Sequence, residues 1–222
     1  MELCNIKVVY EDHDLLAVVK PAGVPIAPDR TGDQDLLQRL EKKYGALGMI
    51  HRLDRPVGGV VLLAKNKKAE AYFSKEMQER RILKTYLAVV HGKMPEKEGE
   101  LVDYLKKNNS TNLSVVVSPQ DKRGKKAILQ YETLAQENEK SLLLIHLLTG
   151  RHHQIRVQLS FASSPIIGDR KYGSKEKSIS FPALWCLSMK VQKEDGSTIL
   201  ATAFPDAEVF LQFSYPLEQL KY

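Results

Sequence analysis

His51-Arg52-Leu53-Asp54-Arg55 sets one carboxylate between two arginines, with Pro56, Gly58 and Gly59 after it and an apolar run from Val60 to Ala64. Proline and glycine at that density break a continuous helix. The run from Val60 to Ala64 has the length of a strand. Asp54 is therefore expected on a loop fastened to the core at its C-terminal end, where a carboxylate is held still yet open to a substrate. Flanking arginines favour its ionised form, which suits a nucleophile or a base better than a proton donor. The competing reading is a surface ion pair where the strand begins, the commoner fate of charges beside turns.

The remaining inventory narrows the chemistry. Gly58-Gly59 lacks the third glycine and the Lys-Ser/Thr pair of a phosphate cradle. His152-His153 is the only histidine cluster, and adjacent histidines on a helix do not face one metal, so no metal site is expected. The Cys-x-x-Cys of a zinc deaminase is missing, as is a Gly-x-Ser-x-Gly elbow. What remains is a carboxylate among cations, several Arg and Tyr residues, and a basic surface.

Those groups must be carried by a chain of 222 residues, one large domain or two small ones, with 43% hydrophobic and 27% charged residues. That is the composition of an ordinary globular protein. No apolar run is long enough to span a membrane, and no basic segment followed by an apolar one marks a secretory signal. Cys4 and Cys186 are far apart and read as free thiols of a reducing, cytoplasmic compartment. The net charge is +6, and because residues 194–222 sum to −4, residues 1–193 carry +10. The excess clusters at Lys65–Lys68, Lys75–Lys84, Lys122–Lys126 and Arg151–Lys175, a distribution that fits a polyanion.

Ile6–Tyr10 and Leu15–Lys20 read as a strand pair, followed by an irregular loop through Pro21, Pro25 and Pro28. Leu36, Leu37, Leu40 and Tyr44 share a helical face capped by Asp33 or Asp35. Asn66–Arg81 reads as an amphipathic helix. Strands are expected at Lys84–His91, Leu113–Val117, Ala127–Leu134, Leu142–Leu148 and Leu184–Val191, with Gln120–Lys126 as a basic, hairpin-like connection. Gly150–Leu159 fits strand alternation and helical recurrence alike. Helix is favoured because Thr149 can cap it, which would put His152 and Arg156 on one face. The pattern predicts an α+β fold with a mixed, mostly antiparallel central sheet flanked by a few helices and loops.

Five segments, in order and in register, resemble the RluA-type pseudouridine synthases. They are Val9-Tyr10-Glu11-Asp12 through Lys20-Pro21-Ala22-Gly23, His51–Asp54 with Gly59 and the strand ending Ala64-Lys65, Lys84–Gly92, Gly150–Val157, and Gly168-Asp169 through Tyr172-Gly173. The resemblance covers roughly residues 6–203. It departs at Val57-Gly58, where the family usually has Thr-Ser, and at His152, where a small hydroxyl residue is usual. It implies a single catalytic domain over residues 1–222, without the N-terminal S4 RNA-binding domain of many relatives.

The resemblance implies isomerisation of uridine to pseudouridine in ribosomal or transfer RNA, by base flipping and without a cofactor. Asp54 corresponds to the essential Asp, which attacks the ribose or the base or removes the C2′ proton. Tyr86 corresponds to the active-site Tyr whose ring stacks on the uracil, and Arg156 to the cation paired with the essential Asp. Arg52 corresponds to the residue that fills the gap left by the flipped base. His51, Arg151, Lys84, Lys125 and Lys126 complete the expected RNA contacts, within basic stretches at Lys65–Lys84 and Lys122–Lys126. A monomer is expected, since no dimer motif stands out. Two rivals are a nucleoside hydrolase or glycosidase using Asp54, which would ordinarily need a second carboxylate, and a non-catalytic RNA-binding module.

Overall fold

A computed structural model describes residues 6–220; Cys4 lies outside them. Contacts divide the chain into two compact units, one built from the residues up to Lys84 with Cys186–Phe204, the other from Thr85–Trp185 and the residues from Pro205 onward.

In the first unit β1 (Val8–Glu11) and β2 (Leu15–Lys20) form the expected antiparallel pair. α1 (Leu36–Tyr44) starts at Asp35, whose side chain accepts from the Gln38 amide in a reciprocal capping box. β3 (Gly48–Met49) and β4 (Gly58–Ala64) follow. β4 is buried along its whole length and pairs antiparallel with β2, Lys20 standing opposite Gly59. α2 (Lys67–Gln78) is capped by the Asn66 side chain and ends three residues before the expected Arg81.

β5 (Leu83–His91) leads into the second unit. β6 (Glu98–Asn108), β7 (Leu113–Val117), β8 (Lys125–Glu137) and β9 (Lys140–Leu147) complete its sheet in the order β5-β9-β8-β6-β7. The 11-residue β6 has no counterpart in the expected strands. It separates β7 from β8 and pairs antiparallel with each. The 118–124 connection therefore joins strands on opposite sides of β6, a correction to the hairpin expected there. α3 (Gln154–Phe161) also differs from expectation, because its N-cap is His153, in the left-handed region at φ 54°, and not Thr149. His152 thus precedes the helix and shares no helical face with Arg156. Residues 154–159 are all buried, so α3 is a core helix.

β10 (Leu184–Gln192), from Cys186 on, returns to the first unit, whose sheet runs β1-β2-β4-β10, with β11 (Thr198–Thr202) on β10 and β3 on β4. Cys186 is a buried thiol. A short α4 (Glu208–Leu211) lies in the second unit. The pairs β1·β2, β2·β4, β5·β9, β8·β9, β6·β8, β6·β7 and β10·β11 are all antiparallel, in accord with the expected α+β fold. No helix among the described residues is long and apolar enough to cross a membrane.

Candidate active site

Asp54 sits on the turn entering β4, half-buried, between the core residues Leu53 (7% exposed) and Val57 (3% exposed). The Val57 amide donates to the Asp54 carbonyl at 2.9 Å, closing the turn. One residue on, the Arg55 carbonyl accepts from the Gly23 amide (2.8 Å) and from Lys20 Nζ (3.0 Å). Lys20 is fully buried and donates also to the carbonyls of Pro21 (3.0 Å) and Val24 (2.8 Å). An ammonium has three donors and no acceptor, and this cage supplies three acceptors. Burial draws the Lys20 pKa down to about 7, while the charge of Asp54 pushes it up. Gly59, at φ 116°, has no room for a side chain, since a Cβ there would collide with the Cys186 backbone.

Arg55 turns its guanidinium to the Gly23 carbonyl (2.9 Å), Asp29 (3.0 Å), Thr31 (2.6 Å) and Asp33, so it braces the 23–33 loop. Arg52 is exposed. His51 accepts the Leu62 amide on Nε2 at 3.0 Å. Desolvation, with Lys84 adding repulsion, pushes its pKa down to about 3. His51 thus braces the loop through its neutral ring. Lys84 is itself half-buried, with its pKa lowered by burial.

The second unit carries Tyr86 and Arg156. Tyr86 lies on β5, 6% exposed, opposite Ile145 of β9. Arg156 is 3% exposed on α3 and donates through Nε to Asp169 Oδ2 (2.6 Å) and through Nη2 to Asp169 Oδ1 (2.8 Å). Its guanidinium carbon lies 5.1 Å from the centre of the Tyr172 ring. The Tyr172 hydroxyl accepts the Ser114 amide at 2.8 Å and meets His153 Nδ1 at 2.8 Å. Burial and then the Arg156 charge push the His153 pKa well below its usual value. Thr149 serves as an anchor: its hydroxyl accepts the Ile128 amide (2.8 Å) and donates to Gln154 Oε1 (2.7 Å), which also accepts the Arg151 amide (3.0 Å).

The basic stretches divide. Lys125 and Lys126 are exposed at the start of β8, and Arg151 Nε donates to the Lys126 carbonyl at 3.0 Å, gathering these three cations. Lys65, Lys67 and Lys68 are paired instead with Glu11, Glu70 and Glu194. Lys20 and Asp169 carry structural weight that sequence reasoning left unassigned, although both lie inside quoted motifs. Among the described residues, no three of His, Cys, Asp and Glu gather as a metal site requires.

Residues 14–161 match the family described as RNA pseudouridylate synthase. An uncharacterized RNA pseudouridine synthase of Mycoplasma pneumoniae is 31% identical over 173 residues, 77% of this chain and 56% of that protein. The dual-specificity RNA pseudouridine synthase RluA of Vibrio parahaemolyticus is 33% identical over 177 residues, 78% of this chain and 71% of its own. This chain thus spans little more than half the length of the Mycoplasma relative. Among solved structures, human RNA pseudouridylate synthase domain containing 1 shares the fold, with a TM-score of 0.83 at 24% identity over 97% of this chain and 91% of that one.

Proposed function

The chain belongs to the RNA pseudouridylate synthase family, and on that footing we propose that it isomerises uridine in ribosomal or transfer RNA to pseudouridine. The N-glycosidic bond breaks, the uracil turns, and C5 bonds to C1′ while the C5 hydrogen leaves as a proton and N1 takes one up. Nothing is oxidised or reduced, so the reading assigns no redox cofactor. Asp54 is the catalytic carboxylate, by attack on the ribose or base or by removal of the C2′ proton. Tyr86 offers its ring to the extruded uracil. Arg156 supplies the fixed positive charge that carboxylate chemistry requires.

The observation that most supports this reading is the Asp54 turn, a half-buried carboxylate whose neighbouring backbone is held at Arg55 by Lys20 and Gly23. A salt-bridging surface Asp has no need of such a mount. Arg52 is the planar cation for the vacated base position, and Arg151, Lys125 and Lys126 contact phosphates. Pseudouridine mapping of total RNA from cells with and without the gene tests the proposal. A position lost on deletion and restored by the intact protein is expected. An unchanged map, or RNA whose mass falls by a lost uracil, contradicts it, the latter in favour of hydrolysis.

A further inference from the structure

Resting on that reading, we propose that Asp169 is a positioning residue for the isomerisation, its carboxylate fixing the plane and the working edge of the Arg156 guanidinium. Both Asp169 oxygens are used, Oδ2 on Nε at 2.6 Å and Oδ1 on Nη2 at 2.8 Å, in a pair 1% and 3% exposed. Two parallel bonds fix the orientation of a planar group, which one bond cannot do. They occupy the Nε–Nη2 edge, so the Nη1 side is the one turned away from Asp169. The Tyr172 ring, 5.1 Å from the guanidinium carbon, adds a second surface against which the plane is set.

The carboxylate is fixed in turn by its own loop. The Asp169 amide donates to the Ile166 carbonyl (3.0 Å), and the Asp169 carbonyl accepts from Tyr172 (3.0 Å) and Ser174 (3.1 Å). Gly168 has φ 77°, and a Cβ there would lie 2.6 Å from Ile179 Cγ1 and 2.7 Å from the Phe181 carbonyl, so the turn admits no side chain at that position. A buried ion pair is a poor stability device, because desolvation offsets much of its attraction and apolar residues of similar volume do as well. As an orienting device it is a good one. The Gly-Asp-x-x-Tyr-Gly turn is then the mount of Arg156, as the 20–25 loop is the mount of Asp54.

The test uses full-length protein and total RNA from cells lacking the gene, labelled with tritium at uracil C5, whose release reports C5–C1′ bond formation. Asp169→Asn keeps the shape of the side chain and removes its charge and one acceptor. The expected result is a kcat about 100-fold below wild type with KM within about threefold, the signature of lost alignment without lost RNA binding. If D169N does not fold, Asp169→Glu decides, with kcat about tenfold lower at unchanged KM. Wild-type kcat in a folded variant, or a loss confined to KM, overturns the proposal. So does failure of both variants to fold, which makes Asp169 structural. No tritium release by the wild type removes the functional reading, and this proposal with it; wild-type release matched by folded D169N removes the proposal alone.

Discussion

The two units hold their charged residues still by opposite means. In the first, the backbone is what is fixed: Lys20 and the Gly23 amide grip the Arg55 carbonyl, and Asp54 is carried on the adjoining residue. In the second, the side chain itself is fixed: Arg156 is clamped through two nitrogens by a carboxylate as buried as it is. The difference follows from length. An Asp side chain has only two rotatable bonds, so fixing its Cα removes much of its freedom, whereas Arg has several and gains more from a partner at its tip.

That contrast sets how each unit should fail. Arg156→Ala leaves the Asp169 carboxylate buried without its guanidinium and should destabilise the protein by about 3–5 kcal/mol, read as a shift in urea midpoint. Lys20→Met leaves three carbonyls without their ammonium and should cost about 2–3 kcal/mol, together with a fall in kcat as the turn loosens. If K20M left both stability and kcat unchanged, the backbone mount would not exist, and the contrast between the units would go with it.

Among the histidines whose pKa burial lowers are His51 in the first unit and His153 in the second, His51 to about 3. The unfolded chain takes up protons first as pH falls below the ordinary imidazole value, so the stability these groups confer is whole above about pH 6.5 and lost on acidification toward pH 3. About 2 kcal/mol should be lost for each of His51 and His153 by pH 5, and His51→Gln should flatten that pH slope in part. A stability flat between pH 7 and 5 would count against both assignments. The smallest effect belongs to the exposed cations. Lys125→Ala with Lys126→Ala should weaken RNA binding several-fold and reduce the slope of log affinity against log salt by about 1.5, with kcat at saturating RNA unchanged.

Much of the first unit was legible in the sequence. The β2 strand, the Asp35 cap, the buried β4 run and the Asp54 turn each follow from residues close together in the chain. What was not legible depends on distant partners. Lys20 reads as a polar strand end until the Pro21–Val24 loop and Arg55 fold over it. Arg55 reads as a neighbour of Asp54, yet its guanidinium is taken by Asp29 and Asp33, which lie over 20 positions earlier. Asp169 is 13 positions from Arg156, with no local periodicity to link them. β6 escaped because it alternates weakly, with Val102 46% exposed and only Leu105 fully in the core. The left-handed His153 moved the start of α3 away from Thr149, since no pattern of apolar residues encodes a positive φ.

The central claim is that the Asp54 carboxylate does the chemistry. Asp54→Asn keeps the size of the side chain and the mount beneath it. In the tritium-release assay, D54N should lose at least about a thousandfold in kcat while binding RNA as the wild type does. Turnover near the wild-type rate in a folded D54N protein would contradict the account.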